Sequence, residues 1–219
     1  MGRQFLDRYD AGKKLAFALH RLASEHPVIL ALPRGGVPIG YEIGRVLGAP
    51  VDLFIVRKIG VPGCREVAMG ALASGGIQIL DAHLIQRLGI PAQAVDAVVA
   101  EEMRELARRE ARHGAGHAPP LLRGRTAILV DDGLATGFTM RAAVQAARKQ
   151  QPARIVVAAP VGSRQAVAML EQEADEVVCL SVPEHFTSVG SWYARFDQTT
   201  DDEVRDLLDR VHTRERLAG

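Results

Sequence analysis

The sequence contains little cysteine. Its 219 residues include two, Cys64 and Cys179, which lie far apart and form no CxxC pair. A disulfide framework needs several cysteines, and structural zinc sites commonly use closely spaced ones. We therefore expect neither feature, and the cysteine usage fits a reducing, cytoplasmic location.

A long apolar run is also absent. No stretch approaches the roughly 18 apolar residues that a membrane-spanning helix needs. The first ten residues carry charges where a signal peptide needs an apolar core. Gly2 is not followed by Ser or Thr at position 6, so the myristoylation pattern fails as well. These absences predict a protein without a membrane partner.

Neither sign of charge is in excess. Lys and Arg number 27 and Asp and Glu number 26, which gives a formal net charge of +1. Such a balance offers no bulk attraction for nucleic acid or for an anionic membrane. We therefore expect no nucleic-acid partner.

Short apolar runs alternate with segments of helical periodicity. Strands are predicted at 28–32, 51–56, 77–80, 126–130, 155–159 and 176–180, and helices at 10–25, 37–47, 91–112, 140–150, 165–173 and from Asp201, with Thr200 as its cap. The alternation predicts an α/β fold with a mostly parallel sheet flanked by helices. At this length we expect a single domain over residues 1–219. Ligands of such sheets bind outside the carboxyl ends of the strands.

The segment 126–139 combines a buried strand with polar groups at its end. Asp131 and Asp132 follow the strand directly, and a loop of small and hydroxylated residues at 135–139 opens the next helix. Carboxylates can accept hydrogen bonds from ribose hydroxyls, while loop amides and a helix N-terminus can hold a phosphate. The alternative is that one acid or Thr139 merely caps the helix. The combination favours a sugar-phosphate site.

Three other segments are unusual. Pro33, Arg34, Gly35 and Gly36 interrupt the chain after the first strand. The glycine-rich stretch 60–76 is too long for an ordinary connection, which indicates a mobile lid or a hairpin arm. Residues 57 and 58, both cationic, are predicted at the end of the second strand. They suit a pyrophosphate there, or they are simply solvated.

Residues 127–139 resemble the phosphoribosyl pyrophosphate (PRPP) motif of the type I phosphoribosyltransferases, in particular a bacterial group of uncharacterised members. The resemblance implies that Asp131 and Asp132 bind the ribose 2- and 3-hydroxyls. It also implies that they take part in binding Mg²⁺, through water and PRPP. The 5-phosphate would be bound by the loop residues Ala135, Thr136, Gly137, Phe138 and Thr139.

The turn at 33–36 resembles the pyrophosphate loop of the same family, which often contains a cis peptide. We expect that peptide between Pro33 and Arg34, and Arg34 would act with Asp131 and Asp132 in catalysis. The pyrophosphate would be bound by Arg34, Gly35, Gly36, Arg57 and Lys58.

The resemblance also implies a flexible lid at about 58–76 and a hood at about 181–200 with N-terminal contributions. Arg65 and Glu66 lie in the lid and receive no role. Phe186 and Trp192 are the acceptor-binding candidates, although both can instead form a small core under the hood. Asp197 is a candidate for an acid that joins the magnesium ion.

Two departures from the family pattern concern the acceptor. Ala135 stands where many purine and pyrimidine enzymes carry an acid, and no Lys occurs in the segment 159–164. The donor half of the reaction is therefore better specified than the acceptor half. The expected activity is Mg²⁺-dependent transfer of phosphoribose from PRPP to a nitrogenous acceptor, in nucleotide metabolism or nucleoside salvage.

Two alternatives remain beside that expectation. One is a PRPP-binding regulator without transferase activity. The other is a different nucleotide-processing enzyme on the same fold, such as a phosphorylase or a PRPP synthase-like protein. A homodimer is the expected assembly, because dimers are the commonest soluble oligomers.

Overall fold

A computed structural model describes residues 4–112 and 121–218, without the side chains of residue 65 and of 215–218. The loop predicted at 113–120 lies outside the described residues. The strands are β1 (Val28–Ala31), β2 (Val51–Leu53), β3 (Val56–Val61), β4 (Cys64–Ala73), β5 (Ile77–Leu80), β6 (Thr126–Val130), β7 (Arg154–Val161) and β8 (Glu176–Ser181). The α-helices are α1 (Arg8–Leu19), α2 (Gly36–Leu47), α3 (Ala82–Arg87), α4 (Ala92–Arg112), α5 (Phe138–Lys149), α6 (Arg164–Leu170) and α7 (Asp201–Ala218).

Five parallel strands form the main sheet in the order β2-β1-β6-β7-β8. The parallel sheet flanked by helices confirms the predicted fold class. Every residue of β6 is buried because helices cover both faces. Ile128 and Val130 face one apolar core, and Ala127 and Leu129 face the other. The central strand therefore delivers whatever follows Val130 to the carboxyl edge of the sheet.

The glycine-rich segment forms an antiparallel arm. Strands β3, β4 and β5 make a separate sheet, and Gly63 turns the β3–β4 hairpin with φ of 77°. The segment is therefore a hairpin arm, one of the two predicted forms.

The strand predicted at 51–56 is wrong in extent. Strand β2 ends at Leu53, and the chain then crosses to the arm. The amide of Ile55 donates to Ser74 Oγ at 3.0 Å, and Ser74 N donates to the Ile55 carbonyl at 2.9 Å. Arg57 and Lys58 consequently lie inside β3 of the arm rather than at the tip of a parallel strand.

Two helical predictions also differ from the structure. The first helix changes to 3₁₀ geometry over His20–Glu25. Helix α3 was not predicted, and Asp81 caps it by accepting from Leu84 N at 2.9 Å. The predicted cap of the last helix is confirmed, because Glu203 N donates to Thr200 Oγ1 at 3.1 Å.

The tail after β8 and the first described residues pack together as the hood. Phe5, Ala11, Val161 and Tyr193 form its buried core. The amides of Gln4 and Phe5 both donate to the Trp192 carbonyl at 3.0 Å. The N-terminal segment is therefore tied to the tail directly above the carboxyl edge of the sheet.

Within the described ranges, no helix is both long and apolar enough to cross a bilayer.

The two cysteines should differ strongly in reactivity. Cys64 is exposed on the arm, whereas burial raises the pKa of the Cys179 thiol to about 11. Since only the thiolate reacts, and about 0.1% of Cys179 is thiolate at pH 8, this thiol should react slowly. Titration of the native protein with a thiol reagent should show one fast thiol and one at least about 100-fold slower. Cys64→Ser should remove the fast phase, and two equally fast thiols in the native protein would contradict the partial burial of Cys179.

Candidate functional site

The site lies where β1 and β6, neighbours at the centre of the sheet, both end. Residues 33–36 follow β1, and Asp131 and Asp132 follow β6. The amide of Leu32 donates to the Val130 carbonyl at 2.8 Å, which keeps the two strand ends in register. Parallel strands thus place two segments about a hundred residues apart side by side, at the edge where such sheets bind ligands.

The turn after β1 touches the two acids. A Cβ on Gly35 would lie 2.0 Å from Asp132 Oδ2, and one on Gly36 would lie 2.4 Å from the Val130 carbonyl oxygen. Real Cβ atoms essentially never come this close. The Pro33–Arg34 peptide is cis, as predicted. Glycine at both positions is therefore required by the close approach of the turn to the acids.

Asp132 is held by Arg8, a residue that the sequence did not indicate. The Nε and Nη2 atoms of Arg8 lie 2.9 and 2.8 Å from Asp132 Oδ2. The side chains of Arg8 and Asp132 are 11% and 17% exposed. The two residues are 124 positions apart, so no local spacing could have indicated the pair.

Burial and mutual repulsion shape the electrostatics of the acids. Desolvation, and then the charge of Asp132, raise the pKa of the Asp131 carboxyl well above its ordinary value. Desolvation also raises the pKa of the Asp132 carboxyl, and the nearby Arg8 guanidinium opposes that rise. Asp131 Oδ1 accepts from the Asp132 amide at 2.8 Å. Hydroxyl donors or a cation would stabilise such a desolvated carboxylate pair.

Tyr193 of the hood contacts the backbone of the segment that carries the two acids. Its hydroxyl donates to the Asp132 carbonyl at 2.6 Å, and the side chain is buried. Burial, followed by the charge of Asp132, raises the pKa of the Tyr193 hydroxyl, so it remains a donor at neutral pH. A Cβ on Gly133 would meet the Val189 side chain at 2.5 Å. The hood therefore packs directly on the backbone that carries the acids. Sequence reasoning missed Tyr193, which no local motif marks.

The loop at 135–139 leads into α5 without a side-chain cap. Gly137 has φ of 76° and occupies the N-cap position, where no side chain accepts a hydrogen bond from the helix. The capping alternative for Asp131, Asp132 or Thr139 is therefore wrong. The first amides of a helix have no partner within the helix, so those of α5 are available to an anion.

The loop is hydrogen-bonded to Ser163, which lies in the connection between β7 and α6. The amide of Ser163 donates to the Leu134 carbonyl at 2.8 Å, and its hydroxyl donates to the Ala135 carbonyl at 2.7 Å. Phe138 at the start of α5 is 62% exposed. The predicted phosphate-binding residues thus form a loop over 135–137 and the first residues of α5, beside the acids.

The cationic candidates lie in two different places. Arg34 follows the cis peptide, and its Nη1 is 3.5 Å from Asp201 Oδ1 at the start of α7. Arg57 in the arm forms an ion pair with Glu102 of α4, with Nε 2.6 Å from Oε2. With Lys58 it lines a cavity of about 400 Å³ between the arm and α4. The structure therefore places Arg34 in the turn beside the acids, with its side chain paired with Asp201, and places Arg57 and Lys58 in the arm.

The acceptor candidates belong to the hood. Phe186 and Trp192 are partly buried and pack against the cluster of Phe5 and Tyr193, which supports the alternative of a small hood core. Asp197 is exposed, and its carbonyl accepts from Arg8 Nη1 at 2.6 Å.

A complete protein-built metal site is not present among the described residues, which contain no group of three or more His, Cys, Asp or Glu suited to a metal ion. Asp131 and Asp132 offer carboxylate oxygens only. Mg²⁺ is commonly bound by one or two carboxylates together with substrate phosphates and waters. The donor set therefore fits a magnesium ion that arrives with a phosphorylated substrate.

A model of the family described as phosphoribosyl transferase domain matches residues 3–196. Two curated proteins from Mycobacterium tuberculosis strains, each named "Putative phosphoribosyl transferase", are 45% identical over 208 residues. The match covers 95% of this chain and 47% of theirs. The chain thus spans about half the length of the curated relatives it matches.

Solved structures agree with the fold. A protein from Thermus thermophilus has a TM-score of 0.84 at 41% identity, covering 94% of this chain and 97% of its own. A hypothetical protein from Neisseria gonorrhoeae with bound ppGpp has a TM-score of 0.52 at 15% identity, covering 96% and 98%. The second likeness concerns the fold alone.

Proposed function

The chain belongs to the phosphoribosyltransferase domain family, and from that premise we propose that it transfers phosphoribose from PRPP to a nitrogenous acceptor and releases pyrophosphate, with Mg²⁺. One observation carries the proposal. Gly35 and Gly36 of the cis-peptide turn lie against Asp132 and Asp131 at one edge of the sheet, which supports a pyrophosphate site and a ribose site beside each other.

The ribose of PRPP would lie against the acid pair. Asp131 and Asp132 accept hydrogen bonds from its 2- and 3-hydroxyls, and such bonds to carboxylates are stronger than neutral ones. The 5-phosphate would bind the amides of Ala135 to Thr139, where the N-terminus of α5 adds favourable charge. The spacing between these groups is fixed by β6 and by the contacts of Ser163 with the loop.

The leaving group would lie over the turn after β1. As the bond between ribose C1 and the pyrophosphate oxygen breaks, its electron pair goes to pyrophosphate, and Arg34 stabilises that charge. Arg34 must exchange its contact with Asp201 for the pyrophosphate. Arg57 and Lys58 can assist if the arm closes over the site. Bound magnesium would neutralise diphosphate charge.

The acceptor nitrogen would attack C1 from the hood side. Its lone pair forms the new C1–N bond while C1 has oxocarbenium character, and its proton leaves to solvent. Ala135 supplies no carboxylate to take that proton. The contribution of the protein to the acceptor half of the reaction is therefore to position the acceptor, and Phe186 and Trp192 of the hood are the candidates for this role.

The alternative is a PRPP-binding regulator without transferase activity. The observation that favours it is Ala135, because the acid found at this position in many nucleobase enzymes is missing. Such a protein would bind PRPP through the same acids and loop but would release no pyrophosphate with any acceptor.

Isothermal titration with PRPP and Mg²⁺ should show one binding site per chain. Incubation with a panel of nucleobases and other nitrogenous acceptors should then release pyrophosphate with at least one. Binding without pyrophosphate release across the panel would favour the regulator. Absence of PRPP binding to the folded wild-type protein would overturn both functions.

The proposal also includes a cytoplasmic homodimer. Dimers are the commonest soluble assemblies, and size-exclusion chromatography with light scattering would measure the mass of the particle against the 23.6 kDa chain.

A further inference from the structure

The position of Arg8 carries an inference about how the ribose-binding acid is oriented. We propose that Arg8 is a positioning residue, which fixes one oxygen of Asp132 so that the other faces the ribose hydroxyls. This inference rests on the proposed function, because it assigns the ribose to the acid pair.

The contacts of Arg8 with the acid converge on one carboxylate oxygen. Both Nε and Nη2 approach Asp132 Oδ2, at 2.9 and 2.8 Å. Gly35 lies against the same oxygen, where an added Cβ would come within 2.0 Å. Oδ2 is therefore enclosed between the guanidinium and the turn. In the described part of the chain, no hydrogen bond reaches Asp132 Oδ1. The free oxygen is the one available to a ligand.

Arg8 is itself fixed on its remaining sides. Its Nη1 donates to the Asp197 carbonyl at 2.6 Å, and its guanidinium carbon lies 4.0 Å from the centre of the Phe196 ring. It is the first residue of α1, whose cap Asp7 accepts from Asp10 N at 3.0 Å. A planar guanidinium bound at three points holds its partner in one orientation. These contacts favour a fixed support over a gate that opens to admit the substrate.

Arg8 also connects the acid to the hood. Phe196 and Asp197 belong to the tail that covers the site, whereas Asp132 is one of the two acids proposed to bind the ribose. The orientation of Asp132 consequently depends on the closed packing of tail and N-terminus. The chain offers a matched control in Arg195, which pairs with Asp7 at 2.6 Å in the same region and is 62% exposed.

Two ligands separate an effect on the ribose from an effect on the phosphate loop. Ribose 5-phosphate and inorganic phosphate should both bind the loop at 135–139, but only the first has hydroxyls for Asp132. Titration of Arg8→Gln should show PRPP and ribose 5-phosphate binding about 10- to 100-fold weaker, by analogy with the loss that follows when a residue orienting a metal ligand is removed. Inorganic phosphate should bind within about twofold of wild type, since the loop is unchanged.

The conservative and control variants complete the test. Arg8→Lys keeps the positive charge but can contact Asp132 through a single nitrogen, so it should recover part of the affinity for PRPP and ribose 5-phosphate that Arg8→Gln loses. Arg195→Gln should bind all three ligands as wild type does. Arg8→Lys stands in for Arg8→Gln if the latter does not fold. Equal weakening of phosphate and ribose 5-phosphate would overturn the positioning role, and so would wild-type affinity in both Arg8 variants. In either case, PRPP binding by the wild-type protein would leave the proposed PRPP site standing. If wild type binds no PRPP, both fall.

Discussion

Asp131→Asn combined with Asp132→Asn should weaken PRPP binding by at least about 100-fold. Each carboxylate is expected to accept a ribose hydroxyl, and a hydrogen bond to a charged group contributes about 1.5–3 kcal/mol. Loss of two such bonds corresponds to about 10²- to 10⁴-fold in affinity. Isothermal titration with PRPP and Mg²⁺ measures the effect, and each single variant should lose a smaller share.

The fold should survive this change. The two carboxylates are desolvated and repel each other, so neutral amides remove an unfavourable interaction. An Asn at 132 also keeps an oxygen that can accept from Arg8. The same change removes the charge partner of Arg8, so the two effects oppose each other and the thermal midpoint should stay close to that of wild type. Asp96→Asn on the exposed side of α4 is the matched control and should leave binding unchanged. PRPP binding by the double variant with wild-type affinity would place the ribose elsewhere.

The sequence was sufficient for the parts of the site that follow one another along the chain. An apolar run buried on both faces, two acids and a small-residue loop are contiguous, and their order alone predicts a strand, a ligand edge and a helix N-terminus. The turn with Gly35 and Gly36 was similarly predicted from its own residues. What the residues could not show is the contact between the two segments, because it depends on β1 and β6 being neighbours in the sheet.

The site residues that the sequence did not indicate contact residues far away along the chain. Arg8 and Tyr193 meet Asp132 only after the N-terminus and the tail have packed as the hood. Arg57 was expected at a strand tip because Phe54 and Ile55 continue the apolar run of β2. Both are buried although they lie outside a strand, so hydrophobicity predicts their burial and not the crossing of the chain into the arm.

Gly35→Ala should weaken PRPP binding by about 100-fold with little loss of folded protein. Gly35 has φ of −63° and ψ of −32°, which alanine adopts without strain. The new methyl carbon would nevertheless lie 2.0 Å from Asp132 Oδ2, and contacts under 3.0 Å essentially do not occur. The carboxylate must therefore move by at least about 1 Å, and a displacement of that size at a reacting site can cost about 100-fold.

Gly40→Ala on the next turn of α2 separates this effect from a general response to a methyl group. Its Cβ would lie 3.1 Å from Ala31 Cβ, so a shift of a few tenths of an ångström accommodates it, and its nearest neighbours are apolar side chains rather than the acids. Calorimetric titration should give Gly40→Ala a PRPP affinity within about threefold of wild type, because small shifts of packed methyl groups are tolerated.

Gly36→Ala should behave differently from both, since its Cβ would meet the backbone oxygen of Val130 at 2.4 Å and no side chain can move away. We expect it to lower the free energy of unfolding by about 1–3 kcal/mol, measured by urea denaturation. If Gly35→Ala binds PRPP as tightly as Gly40→Ala does, the orientation of Asp132 does not control ribose binding.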